Sequence, residues 1–269
     1  MSYSIRILRI LLLSCLSFPV ALSATPIDLT DITSIVVETT AASVEISTSE
    51  GIAAEASASG CLTAEYNKNG ALLDFSAVGF LGECNLQISV PHNFPVSVSA
   101  GMGTVTLSGK FSDLKVVGSI SDIKATNILT ESGRFEAYQG TISIQNGSGK
   151  FSVINVNGGA DIRGLSGQLN LESTNSPVTV SRLTLRPSSK NSITNRNALI
   201  VVSNVQGTAL AKRRRSGVRL SGKAINGKVS ISRKYLEIKR RRGTLSALAA
   251  GSSPASLRMS NINGNITVK

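Results

Sequence analysis

The fold is decided by a five-residue pattern that first occurs as Gly103-Thr104-Val105-Thr106-Leu107. Glycine precedes alternating polar and aliphatic residues, and the pattern returns at 140–144, 167–171, 227–231 and 264–268. Alternation with period two predicts short strands that bury one face. A single such strand cannot cover its aliphatic side chains, whereas stacked coils can. The repeat therefore predicts an all-β chain folded as a single-stranded β-solenoid, with an antiparallel β-sandwich as the alternative.

Strand-like alternation begins well before the first glycine repeat. Runs such as Ile35-Val36-Val37 and Leu86-Gln87-Ile88-Ser89-Val90 alternate in the same way, and convincing helical periodicity is absent. We therefore expect a β-strand-rich N-terminal segment over residues 25–100 and the solenoid repeats over residues 101–269. Five Asn-Gly pairs each predict a turn with positive φ, and they begin at Asn69, Asn146, Asn157, Asn226 and Asn263.

Two coil lengths fit the spacing of the repeats, about 18 residues with two strands or about 27 residues with three. The longer coil is favoured because charged residues and glycines recur at that distance. Arg134 and Glu136, for example, precede Asp161 and Arg163 by the longer spacing. In neighbouring coils of that length, Arg134 would lie beside Asp161 and Glu136 beside Arg163. The favoured spacing thus predicts two ion pairs between coils.

The N-terminus has the features of a secretory signal. Arg6 and Arg9 precede the apolar run Ile10–Leu22, and the small residues of 21–24 fit a cleavage site, so residues 1–24 are expected to be removed. As a helix, the apolar run is too short to cross a hydrocarbon core of about 30 Å. We therefore expect an exported protein, periplasmic or at the cell surface, with no transmembrane span in the mature chain.

Cysteine usage bears on the same question. Leu12-Leu13-Ser14-Cys15 offers an alternative, a lipoprotein acylated and anchored at Cys15. The remaining cysteines, Cys61 and Cys84, lie 23 positions apart, and in an exported protein this pair predicts a disulfide. Two buried free thiols are the alternative. No histidine or second base lies near either cysteine in the sequence, so neither is a candidate nucleophile.

Composition excludes some classes of function and locates the charge. The chain has 269 residues, of which 41% are hydrophobic, and this fraction excludes wholesale disorder. A single histidine, His92, argues against a metal cluster, so we expect no metal or cofactor. We expect His92 to be a structural or surface residue. The net charge of +12 is unevenly distributed, because residues 25–185 hold 8 Lys/Arg against 15 Asp/Glu, whereas residues 186–269 hold 18 against Glu237 alone.

Two basic runs are the strongest local feature, Lys212-Arg213-Arg214-Arg215 and Lys239-Arg240-Arg241-Arg242. Both lie between aliphatic runs, which predicts loops or corners. If they stack in adjacent coils about 5 Å apart, each like-charged pair is repelled by about 1 kcal/mol, and an anionic partner would relieve this. We expect these eight residues to bind lipopolysaccharide or anionic lipid; solvated loops are the alternative. Nucleic acid is disfavoured because Tyr235 is the only aromatic residue after position 185.

At this point the chain resembles a known family. The leader, the junction Ile88-Ser89-Val90-Pro91 and the repeats from Gly103 onward resemble the bacterial putative-adhesin family, an exported β-helical domain of unknown function. The resemblance covers about residues 35–185, and the repeats continue more loosely to Val268. It implies an exported β-helix and brings no catalytic residue or cofactor. The basic C-terminal part departs from the family's usual composition.

The sequence therefore predicts a non-catalytic, adhesin-like envelope or surface module whose basic C-terminal half binds anionic surface polymers or lipids. The alternative is a β-helix polysaccharide lyase or hydrolase, which needs carboxylates that converge on one face. Exposed terminal strands would also allow a homodimer to form. The candidate acids are Asp113, Asp122, Glu131, Glu136, Asp161 and Glu172.

Overall fold

The computed structural model describes residues 20–80, 83–207, 209–211, 214–215, 218–231, 237–241, 244–248 and 255–269. Every regular element in this part is a β-strand, which confirms the all-β prediction. Among these residues, no helix is long and apolar enough to cross a membrane. The strands are β1 (Val20–Ile27), β2 (Ser34–Ala41), β3 (Ser43–Ser49), β4 (Ala54–Asn69), β5 (Leu72–Gly79), β6 (Asn85–Pro91), β7 (Phe94–Gln139), β8 (Ile142–Gln145), β9 (Ser148–Asn155), β10 (Ala160–Arg163), β11 (Ser166–Ser173), β12 (Val178–Leu185), β13 (Lys190–Asn195), β14 (Ile200–Gly207), β15 (Ala209–Ala211), β16 (Arg214–Arg215), β17 (Val218–Ala224), β18 (Val229–Ile231), β19 (Glu237–Arg241), β20 (Thr244–Leu248), β21 (Ala255–Asn261) and β22 (Ile266–Val268).

The N-terminal strands close into a ring. β5, β4, β6, β3, β7 and β2 pair in that order, and β2 pairs back to β5, which gives a six-stranded mixed barrel. Only β4 runs antiparallel to its ring neighbours. Outside the ring, β1 pairs antiparallel with β4, and it includes Val20–Ala24, which the sequence assigns to the leader. The long strand β7 leads from the ring into the rest of the molecule.

Beyond the ring, the chain alternates between two parallel ladders. Along the first ladder, β7, β9, β11 and β13 pair in succession. Along the second ladder, β7, β8, β10, β12 and β14 do the same. Each pass of the chain therefore adds one strand to each ladder, and this parallel pairing differs from that of an antiparallel sandwich.

The register of the ladders gives the coil length. Ala160 lies opposite Val178, at an offset of 18 along the chain, and Val178 lies opposite Ile200, at an offset of 22. The expectation of the longer, three-stranded coil is therefore wrong. Gly140 lies just before β8 of the second ladder, and Gly167 lies in β11 of the first ladder. The spacing between these two glycines equals one and a half of the shorter coils. The recurrence therefore joins strands of different ladders.

The predicted ion pairs between coils are wrong for the same reason. Arg134 lies in the first ladder and Asp161 in the second, so the two side chains are not neighbours. Instead, the Arg134 guanidinium binds Glu136, and Arg163 Nη2 lies 2.7 Å from Asp161 Oδ2. Residues two apart point to the same face of a strand, so each arginine finds its carboxylate within its own strand. The hydrogen bond to Asp161 raises the pKa of Arg163.

The space between the ladders is filled by inward aliphatic and phenylalanine side chains. Leu169, Ile193 and Leu257 are fully buried on successive strands of the first ladder. Phe135 and Phe151 stack across two neighbouring strands with ring centroids 6.1 Å apart. Full burial of one such side chain contributes about 1.5–3 kcal/mol, so these inward side chains hold neighbouring strands of the two ladders together.

Asparagines line the corner at which each coil passes from the first ladder to the second. Asn175 Nδ2 donates to Asn157 Oδ1 at 2.7 Å, and Asn197 Nδ2 donates to Asn175 Oδ1 at 2.7 Å. The row continues through Asn263 and Asn226 with donor–acceptor distances of 2.8 Å. The three interior amides, those of Asn175, Asn197 and Asn263, therefore each donate and accept in a chain of hydrogen bonds that runs from coil to coil.

The Asn-Gly pairs in this row do not form the predicted turns with positive φ. Within the five pairs, positive φ occurs at Asn146 and at Gly70, but not at the pairs that begin at Asn157, Asn226 and Asn263. Glycine is required in those three pairs by close approach. A Cβ at Gly158, for example, would overlap the carbonyl oxygen of Gly140 in the preceding coil.

A second corner does use left-handed backbone. It lies in the second ladder, where Asn127, Asn146, Gly164, Arg182 and Asn204 occupy equivalent positions and have φ between 53° and 69°. Asparagine and glycine tolerate this conformation, whereas other side chains are strained in it. Arg182 is the exception in this column.

At the C-terminal end, the spatial order of the coils departs from the sequence order. β13 and β14 pair with β21 and β22, and β17 and β18 pair with the far sides of β21 and β22. The last coil of the sequence is thus held between two earlier ones. We call residues 208–254 the insert and the rest of the described chain the body. β20, paired antiparallel with β17, and β19 beyond it cover the end of the first ladder, which blocks parallel pairing of a further strand with β17.

Candidate anion-binding site

Both predicted basic runs belong to the insert, and part of each lies outside the described residues. This applies to Lys212, Arg213 and Arg242. Arg214 and Arg215 form β16, which pairs antiparallel with β15. The first run is therefore described only where it enters this short two-stranded sheet.

The second run lies in a strand along most of its length. Lys239, Arg240 and Arg241 belong to β19 and pair with Ser246, Leu245 and Thr244 of β20. The expectation that the runs occupy loops or corners is wrong for their described residues. These residues pair with β15 in one case and with β20 in the other, so the described parts of the two runs do not stack on each other in neighbouring coils.

Three other cations meet where the insert joins the body. Lys190 in β13 lies opposite Ser256 in β21, and Ser256 lies opposite Arg219 in β17. Arg258 follows Ser256 by two residues, on the same face of β21. At about 4.8 Å between strands, the backbones of Lys190 and Arg219 are about 10 Å apart, with the strand of Arg258 between them. We call Lys190, Arg219 and Arg258 the seam cations.

The seam cations line one depression on the outer face of the first ladder. Its wall contains no apolar side chain, no aromatic ring and no carboxylate among the described residues. Hydroxyl and amide groups complete it. The Asn170 amide and the Ser221 hydroxyl can donate hydrogen bonds to an anion, whereas the Asn191 amide is buried and donates to Ser189 Oγ and to the Ser256 carbonyl oxygen. The other lining residues are Asn170, Asn191, Ser192, Ser221 and Ser256.

The charges of this depression are not neutralised within the described chain. Three ion pairs occur among the described residues, and none involves a seam cation. All three seam cations are exposed. By contrast, Arg134 and Arg163 of the body each bind a carboxylate on their own strand. The depression therefore has a local excess of positive charge that is available to a ligand.

The excess extends through the whole insert. Residues 208–254 contain 13 Lys/Arg against Glu237 alone, whereas the rest of the chain contains 15 Lys/Arg and 15 Asp/Glu. The insert thus accounts for the full net charge of +12, and the rest of the chain is neutral.

Sequence reasoning missed the seam cations, although part of the signal is visible. The alternation of Arg219, Ser221 and Lys223 is typical of an outward strand face. The pairing partner is not readable from the pattern, because Asn263 bonds to Asn197 across 66 residues while Asn226 bonds to Asn263 across 37. Nothing in the repeat indicates that the last coil lies between two earlier coils.

The six candidate acids do not form one site. Glu136 and Asp161 are bound by arginines of their own strands. Asp122 Oδ1 accepts the backbone N–H of Thr141 at 2.7 Å and so fixes a corner. In the described part of the chain, no group of three or more His, Cys, Asp and Glu residues could hold a metal ion. The remaining acids are exposed on strand surfaces and are Asp113, Glu131 and Glu172.

The cysteines and the histidine occupy structural positions near the barrel. Cys61 and Cys84 are bonded to each other and buried, and this disulfide is consistent with a location outside the cytoplasm. His92 Nδ1 lies 2.8 Å from Thr48 Oγ1. The Thr48 hydroxyl also accepts the backbone N–H of Lys110, so His92 belongs to a hydrogen-bond network that joins β3 to β7.

No protein-family model matches the sequence, and no curated protein matches it. Two crystal structures are similar. One is a putative cell adhesion protein from Clostridium sporogenes, at 9% identity and TM-score 0.29, covering 94% of this chain and 99% of that one. The other is a putative adhesin from Bacteroides fragilis, at 9% identity and TM-score 0.45, covering 94% and 96%. The structural neighbours are thus bacterial proteins of the kind that the repeat pattern resembles, and at this identity no residue role passes from them to this chain.

Proposed function

We propose that the protein is a non-catalytic, adhesin-like module of the cell envelope or surface. In this proposal a neutral β-solenoid acts as the scaffold, and the basic C-terminal half binds anionic surface polymers or lipids. The basic runs Lys212–Arg215 and Lys239–Arg242 supply most of the attraction. The parallel ladders, in which each pass of the chain adds one strand to each side, support the scaffold role.

The confinement of the net charge to the insert carries the proposal. Residues 208–254 hold thirteen cations against one acid, and each basic run places four cations in succession along the chain. These cations repel one another, since like charges within a few ångströms cost about 1 kcal/mol per pair even in water. An anionic surface removes this repulsion and gains about 1 kcal/mol for each basic residue near it. A scaffold that is otherwise neutral gains nothing in stability from so concentrated a charge, so binding is the function that accounts for it.

The test is binding of the full chain to lipopolysaccharide and to phosphatidylglycerol vesicles over a range of salt concentrations. We expect binding that weakens as salt rises, because screening acts over about 10 Å at 0.1 M. Changing all eight residues of the two runs to Ser should weaken binding on the order of 100-fold or more.

A matched control keeps the insert intact and removes charge from the body. Changing the exposed body lysines Lys110, Lys115, Lys124 and Lys150 to Ser removes as much charge as one basic run, and it should leave binding within about twofold if each exposed charge acts only locally. Retained binding after loss of both runs would overturn the proposal. Equal loss in the lysine control and in a variant that changes only Lys239–Arg242 to Ser, which removes the same charge, would reduce it to a nonspecific effect of net charge.

A further inference from the structure

The seam cations form a site that neither basic run provides. Lys190 and Arg258 belong to the body, and Arg219 belongs to the insert. The three meet only because β17 pairs with β21 along its whole length, from Val218 opposite Ala255 to Ala224 opposite Asn261. The site is therefore assembled by the docking of the insert on the last coil.

The chemistry of the depression selects an oxyanion. Two guanidinium groups present planar forks that match carboxylate or sulfate oxygens, and a lysine adds a third charge. Serine hydroxyls and the Asn170 amide lie beside them. No carboxylate lines the depression among the described residues, so no acidic side chain there competes for the two guanidinium groups.

The same lining favours a polysaccharide over a membrane. Binding at a lipid surface is strengthened by apolar side chains that enter the acyl boundary, and the described wall of this depression has none. The exposed isoleucines Ile225 and Ile262 lie at the corner and do not line it. A polar, concave and positively charged strip suits a linear chain of hydroxyl and acidic groups.

We propose that Lys190, Arg219 and Arg258 form a binding site for an acidic polysaccharide, completed when β17 of the insert pairs with β21. This inference rests on the proposed function. It names the class of ligand that the protein binds and assigns specific recognition to the seam cations. The basic runs then supply general attraction, while the seam holds two anionic groups about 10 Å apart, the separation of Lys190 and Arg219 across β21.

Calorimetric titration of the full chain with polygalacturonate, dextran sulfate and uncharged dextran tests the site. We expect both charged polymers to bind and uncharged dextran not to bind. Arg258→Ser should weaken binding about tenfold or more, because a hydrogen bond to a charged group is lost. The double variant Arg219→Ser with Arg258→Ser should weaken it about 100-fold. Both variants remove exposed side chains, so the thermal unfolding curve should match that of the natural chain.

The matched control is Arg163→Ser, which removes one exposed arginine from the other ladder, where it is already paired with Asp161. It should leave polymer affinity within about twofold. Equal losses for Arg163→Ser and Arg258→Ser would overturn the seam site, and so would undiminished binding by the double variant.

Two further outcomes separate this inference from the proposed function. If the chain lacking both basic runs loses binding while the double seam variant keeps it, the proposed function stands and the seam site fails. If phosphatidylglycerol vesicles bind and neither acidic polymer does, the ligand is a membrane and the polysaccharide assignment is wrong. Failure of the full chain to bind polymers, vesicles and lipopolysaccharide would overturn both proposals.

Discussion

The body and the insert are built from the same kind of strand and differ in what those strands present to solvent. Outside the insert, cations and acids are equal in number, and Arg134 and Arg163 of the body each have a carboxylate two positions away. The insert has 13 cations and one acid, yet β17 and β18 pair with the last coil in the same parallel register. The inward-facing residues of each strand determine the fold, so the outward-facing residues can carry charge without changing it.

Removal of the insert is the strongest test of this comparison. The partners Ile200 of β14 and Ile266 of β22 have an offset of 66 along the chain, whereas Val178 and Ile200 in the preceding coil have an offset of 22. Deleting residues 209–252 restores the shorter offset and leaves a connection as long as 186–189. We expect the shortened chain to fold, because β13 and β14 keep their partners. Its affinity for anionic polymers should fall at least 100-fold, because each lost basic contact contributes roughly 1 kcal/mol of binding free energy.

Circular dichroism, thermal unfolding and the same titrations measure this outcome. The deletion uncovers the outer edges of β21 and β22, so light scattering should detect some self-association. Replacing the eight run residues by Ser in the full chain is the control, since it removes charge without uncovering an edge. A shortened chain that fails to fold, or one that folds and binds as well as the full chain, would show that the insert is not a separable charged addition.

A single glycine in the body gives the next largest effect. A Cβ at Gly158 would overlap the Gly140 carbonyl oxygen, which already accepts a hydrogen bond from Asn155 Nδ2 at 2.8 Å. Gly158→Ala should therefore lower the free energy of unfolding by about 1–3 kcal/mol, as overpacking does. Gly159→Ala is the matched control, because a Cβ at Gly159 would lie 3.9 Å from its nearest neighbouring atoms. This substitution should leave the free energy of unfolding unchanged or raise it by about 0.4–1 kcal/mol. Equal urea midpoints for the two variants would contradict the close-approach argument.

The equivalent glycine of the insert separates the two regions. A Cβ at Gly227 would overlap the carbonyl oxygen of Gly264 in the last coil. Gly227→Ala should weaken the docking of the insert, which limited proteolysis would detect, while the body keeps its unfolding midpoint. A fall in the body midpoint as large as that of Gly158→Ala would mean that body and insert unfold as one unit.

The sequence predicts the strands well and their neighbours poorly. Alternation around Val105, Ile142 and Leu169 identifies buried positions, because it depends only on local geometry. The coil length is mispredicted because glycines of opposite ladders recur at one and a half coils. The cluster of seam cations is not predictable, because it depends on the pairing of β17 with β21, in which Arg219 lies opposite Ser256. The cysteine pair is readable from its spacing and the predicted export signal, because this inference needs no knowledge of register.

The smallest expected change in unfolding free energy comes from a substitution in the left-handed corner of the body, and it measures backbone strain alone. Arg182 has φ of 54° in a column otherwise filled by asparagine and glycine. Arg182→Asn should raise the free energy of unfolding by about 0.5–1 kcal/mol, part of the roughly 1–2 kcal/mol strain of left-handed backbone in ordinary residues. Arg186→Asn removes the same charge at a position without positive φ and should change nothing beyond error in urea unfolding. Because residue 182 belongs to the body, the gain should appear undiminished in the chain that lacks residues 209–252. A gain confined to the full chain would instead tie Arg182 to repulsion by the cations of the insert.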